Sequence, residues 1–192
     1  MHITKSKKVM EIKITAKQML TVLYVISWVI FIGVCIEAGG IIFNTAYALY
    51  KPIVAKHFWN GADLSALYEH DKGYFIVQTF FMTVVAIMKA LIFYLIVKIL
   101  HDKKLNLSQP FNIEVVRFIS SIAYLSLGIG FFAIWGVNYS EWITKQGVEM
   151  PDVQKLRIGG ADVWLFMGVT LLVIAQIFKR GMEIQSENEL TV

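Results

Sequence analysis

Residues 73–100 form an apolar run that constrains everything else in the chain. About 20 apolar residues in a helix cross the hydrocarbon layer of a bilayer, so this run reads as a membrane-spanning helix. It carries Lys89 near its middle and Lys98 near its end. A lysine at the centre of a membrane helix costs roughly 2.5–3.5 kcal/mol on insertion scales, so Lys89 needs a partner or a route to water. Lys98 sits close enough to the helix end to extend into the interface. Gln78, Met82, Val85, Lys89, Ile92 and Ile96 fall on one face of this helix.

Three more apolar runs complete a set of spans at about 19–49, 73–100, 113–138 and 160–178. Charged residues make up 17% of the 192, against about 25% in an ordinary soluble domain. The expected fold is therefore all-α: a polytopic membrane protein built as one four-helix transmembrane bundle, running up-down-up-down. A basic tail, 1–18, precedes it and a polar tail, 179–192, follows it. The first run is far longer than the 7–15-residue core of a secretory signal and ends in no small-x-small site. The single cysteine, Cys35, follows Val34 and reads as a thiol within a helix; alone it makes no internal disulfide.

Lysine and arginine counts set the orientation. Eleven lie on the side of the termini: Lys5, Lys7, Lys8, Lys13, Lys17, Lys98, Lys103, Lys104, Arg117, Lys179 and Arg180. Six lie on the other side: Lys51, Lys56, Lys72, Lys145, Lys155 and Arg157. Both termini are expected in the cytoplasm (N-in/C-in), with the chain in the cell (inner or plasma) membrane. The net charge of +4 follows membrane side and forms no basic surface for direct nucleic-acid contact.

The first run contains Glu37 and the pair Gly39-Gly40. Residues 19–50 as one helix extend about 48 Å, more than a ~30 Å hydrocarbon layer. Either the helix ends near the glycines with Glu37 at the interface, or it continues and Glu37 lies deep. The spacing of Gly33, Glu37, Gly40, Asn44 and Ala48 on one face favours continuation. Glu37 then lies ~18 Å below the outer end of its helix, and Lys89 ~20 Å below the outer end of an antiparallel neighbour. These depths predict an intramembrane polar pair, Glu37–Lys89, with Gly33 and Gly40 allowing close approach. Asn44, Gln78 and Ser121 are the supporting polar candidates. Segment 51–72 reads as an interfacial loop with room for a short helix, 139–158 as the second outer loop, and Asn112 as the N-cap of the third span.

No G-x-S-x-G, H-E-x-x-H or paired intramembrane aspartates occur. The four histidines, His2, His57, His70 and His101, lie outside the spans or at their edges. The spacing of His57, His70 and nearby acids matches no compact ligand set. The chain is read as no enzyme, with no catalytic residues, no metal and no cofactor. Two classes remain. One is a small transporter or channel using Glu37 and Lys89, which needs a homo-oligomer to enclose a path. The other is a membrane-bound interaction or signalling module. In that reading Gly181 ends the fourth helix, and Ile184, Leu190 and Val192 on the tail dock a partner.

The closing segment, Lys179-Arg180-Gly181-Met182-Glu183-Ile184-Gln185-Ser186-Glu187-Asn188-Glu189-Leu190-Thr191-Val192, carries a resemblance. So does Leu107-Ser108-Gln109-Pro110-Phe111 before the third span. With four spans, these resemble the bacterial family called domain of unknown function 2975, whose chains often end G-x-x-L-Q-x-E-x-D-L-T-V. Ile184 stands here for the leucine and Glu189 for the aspartate. The resemblance implies an integral membrane protein whose gene often neighbours a small helix-turn-helix regulator, which makes that regulator the expected partner beside the lipid bilayer. It brings no functional residues with it.

Overall fold

The first apolar run holds no proline, and it propagates as one helix, α1 (Ala16–Tyr50). Gly39 and Gly40 do not interrupt it, so of the two readings the continuous helix is the one observed. It stops where Pro52 forces the preceding Lys51 into an extended conformation, φ −125°, ψ 97°. Two 3₁₀ turns follow, Pro52–His57 and Trp59–Gly61, then a short helix α2 (Ser65–His70). Three long helices complete the chain: α3 (Lys72–His101), α4 (Ile113–Lys145) and α5 (Ala161–Glu189). The computed structural model describes residues 16–102 and 112–189; Leu190, Val192, most of the basic tail and residues 103–111 lie outside them. No strand occurs among the described residues, and α1, α3, α4 and α5 are each long and apolar enough to cross a membrane.

Two helix starts have side-chain caps. Asp71 accepts the amide of Tyr74 at the start of α3, at 2.9 Å. Asn112 accepts that of Val115 at the start of α4, at 2.8 Å, as its sequence position suggests.

The four long helices alternate in direction and pack in chain order, α1 on α3, α3 on α4, α4 on α5. Tyr24 meets His101 and Phe31 meets Tyr94, which fixes the α1–α3 register. Gly128 faces Met88 and Gly136 faces Phe81 between α4 and α3. Gly130 faces Leu165, and Gly168 faces Leu127, between α4 and α5. Among the described elements α1 touches neither α4 nor α5. The bundle is thus an open row, with a lateral gap between its first and last members.

At the end opposite the termini, the connections, read from sequence as loops with one short helix, form a packed cap that includes α2. Ala55, Phe58, Leu64 and Leu67 are buried to 2% exposure or less, joined by Leu156 and Ile158 from the α4–α5 connection. Phe58 and Tyr68 pack edge-to-face on Phe75 of α3. α4 runs past residue 138 to Lys145 because Tyr139 and Trp142 pack on Tyr74 and Phe81 within this cap. On the opposite side α5 passes through Gly181 without stopping. A glycine within a helix costs only about 1 kcal/mol, too little to end a long one, so the expected cap at Gly181 is not made.

Candidate functional site

The antiparallel register of α1 and α3 puts Glu37 level with Met88, next to Lys89. The two charges come to the same depth, as residue counting suggests, but they do not bond each other. Glu37 gives both carboxylate oxygens to Arg157: Nε donates to Oε1 at 3.0 Å and Nη2 to Oε2 at 2.6 Å. Lys89 Nζ donates to the backbone carbonyl of the same Arg157 at 3.0 Å. It also lies 5.9 Å from the centre of the Trp164 ring on α5, within cation–π range. The expected Glu37–Lys89 pair is thus replaced by a node of three charges centred on Arg157.

Local structure explains how Arg157 gets there. Its neighbours Leu156 and Ile158 are both fully buried in the cap and anchor the segment on either side. Arg157 itself adopts φ +60°, a left-handed conformation that costs a non-glycine residue energy. Its side chain lies on Glu37 while its carbonyl accepts from Lys89. The fork of the guanidinium matches the carboxylate, a geometry lysine does not supply. The Glu37 hydrogen bond raises the already high pKa of Arg157, which stays charged at any ordinary pH.

The node lies beside the first turn of α5, toward the cap end of that helix's apolar stretch. Residues 161–178 of α5 extend about 27 Å, close to the thickness of the hydrocarbon. Gly130 of α4 lies against Leu165, and a Cβ on it would come 3.2 Å from the Ala161 carbonyl, so α4 continues to Lys145 about 20 Å beyond the start of α5. The cap therefore stands clear of the layer that α5 crosses. A helical side chain leans toward the N-terminus of its helix, which for α3 is the cap end. Lys89 uses that lean to bring its ammonium toward the cap, to the Arg157 carbonyl and the Trp164 ring.

The other expected residues separate. Asn44 donates to the Gly40 carbonyl of its own helix at 2.7 Å and reaches neither charge. Gly40 approaches the Trp59 ring, and nothing lies near Gly33, so neither serves a close α1–α3 approach around Glu37. Gln78 is fully buried, with neither amide atom hydrogen-bonded among the described residues. Ser121 lines a different cleft of about 250 Å³ between α3 and α4 on the terminal side, with Lys98, Asp102, Glu114 and Arg117. Ile184 is 48% exposed on the last turns of α5. Sequence reasoning missed Arg157 and Trp164. The available signal was an arginine four residues before an apolar run, with Glu37 needing a cation.

A model of a family described as a protein of unknown function (DUF2975) matches residues 59–192. The match covers the cap from Trp59 onward, α3 to α5, and two of the node's three charged residues, with Glu37, Ala55 and Phe58 outside it. No curated protein and no solved structure matched the sequence.

Proposed function

The chain belongs to the DUF2975 family of proteins of unknown function, and from that premise we propose that it is a membrane-bound interaction or signalling module. Its termini face the cytoplasm of the cell membrane, its partner is a soluble helix-turn-helix regulator, and it carries out no catalytic step.

One observation carries this reading. α5 begins four residues after Arg157 and continues as a single helix to Glu189, about 43 Å long. One rod thus connects the charged node to a polar segment beyond the apolar layer. That segment is a helix that carries an Arg180–Glu183 ion pair at 2.9 Å and exposes Ile184. An exposed apolar residue on a projecting helix suits docking into a partner groove. In this reading a change at the node is passed along α5 to the tail. The transport reading has less support, because the two charges it would use are both engaged by Arg157.

The test is a pulldown of the regulator encoded beside the gene, using detergent-solubilised protein with and without residues 183–192. Retention by the full chain and loss on truncation are expected. Equal retention by both forms, or none by either, contradicts the proposal.

A further inference from the structure

We propose that the Arg157–Lys89 node binds the phosphate group of a phospholipid headgroup from the cap-side leaflet, which enters sideways between α1 and α5. The first argument is charge. Two cations share one carboxylate, and Arg157 takes both of its oxygens. Lys89 makes its direct contacts with a backbone carbonyl and the face of an indole, and feels Glu37 only through space. Asp162, in the first turn of α5, is exposed and makes no ion pair with either cation. One positive charge is therefore unbalanced at the edge of a low-dielectric layer, where an uncompensated ion is costly.

The second argument is free donors. Nη1 of Arg157 has no acceptor among the described residues, and Lys89 makes a single hydrogen bond. The free amides that open α5 add a weaker attraction for an anion at the same place. A phosphodiester offers two oxygens of the kind a guanidinium and an ammonium bind together.

Access and level agree. The α1–α5 gap is open along the row, and the Arg157 side chain is 45% exposed. The node lies where the apolar stretch of α5 begins, beside Trp164, and tryptophan favours the headgroup boundary. A lipid phosphate occupies that level by default; a free phosphate must be drawn there from solution.

The full-length protein in a non-phospholipid detergent is titrated with dioctanoyl phosphatidylglycerol, dioctanoylglycerol or inorganic phosphate. Bound molecules are counted by native mass spectrometry. The phospholipid is expected to stay bound, and the other two are not. Lys89→Met is expected to weaken its retention about tenfold or more, the order of one charge-assisted contact. Lys89→Arg, which keeps the charge, should retain it. Circular dichroism and a single elution peak establish that each variant is folded, and the wild-type comparison stands without them. Equal retention of dioctanoylglycerol, saturable binding of inorganic phosphate in place of the lipid, or undiminished retention by folded Lys89→Met would each overturn the proposal.

Discussion

Arg157 holds Glu37 through both carboxylate oxygens although 120 positions separate them in the chain. Among the described residues no helix contact joins α1 to α5, and this clasp is a direct polar link, beside the cap packing, from the first span to the entrance of the last. Lys89, between them on α3, fixes the arginine by its carbonyl. The arrangement converts two expensive isolated charges into a hydrogen-bonded group beside the start of α5.

Packing gives a clear contrast among the glycines. A Cβ on Gly40 would meet the Trp59 ring, and one on Gly168 would come within 2.7 Å of the Leu127 side chain and 3.0 Å of its backbone nitrogen. Gly40→Ala and Gly168→Ala should each cost about 1–3 kcal/mol, the usual range for overpacking. Nothing lies within 4 Å of a Cβ on Gly33, so Gly33→Ala should be neutral or gain up to about 1 kcal/mol of helix propensity. Thermal unfolding in detergent measures all three, and a loss at Gly33 matching that at Gly168 would contradict the packing.

Gln78 carries a cost that substitution can remove. Its amide is fully buried and has no hydrogen-bond partner among the described residues, a state worth about 1–3 kcal/mol of destabilisation. Gln78→Leu keeps the approximate volume and should raise the melting temperature. A fall would show that the amide is satisfied through water and that the cap depends on it.

How much of this was readable beforehand follows from the physics of each part. Four long apolar runs specify four spans by length alone, and residue counting brings Glu37 and Lys89 to one depth. Asn112 was readable because an N-cap is a local signal. The cap was not, because Phe58, Leu64 and Leu67 stand among charges with no helical or strand period. Arg157 was hidden for a different reason. Its partner is set by how the α4–α5 connection folds, and its own sequence neighbourhood reads as an exposed loop. The length of α5 was misread because one glycine is weak evidence for a helix end.

Asp63 supplies a pH prediction outside the spans. The Ser65 hydroxyl and amide donate to its Oδ1 at 2.5 and 2.9 Å. The hydroxyl bond is the larger cause of a carboxyl pKa below its ordinary value, the amide the next. Above the ordinary carboxylate value both folded and unfolded chains are ionised, and the stabilisation is fully present. As pH falls the unfolded chain protonates first, so the contribution fades through the folded value. The effect is small because Asp63 is solvated. The melting-temperature gap between wild type and Asp63→Asn should shrink from about pH 5 to about pH 3. A gap independent of pH would contradict this.

Orientation has its own check. Glu69 is exposed on the cap, so Glu69→Cys in a Cys35→Ala background should react with an impermeant maleimide added to intact cells. Reaction only after permeabilisation would place the cap in the cytoplasm.

The clasp itself is tested most directly by a double-mutant cycle on Glu37→Gln and Arg157→Gln, read as unfolding free energy in detergent. The Arg157 side chain is partly exposed, which limits the pair to a coupling of about 1 kcal/mol, and its two-pronged geometry keeps it above zero. The account predicts that either single change loses most of what the double change loses. Strictly additive losses would mean that Arg157 and Glu37 do not hold the first span to the last.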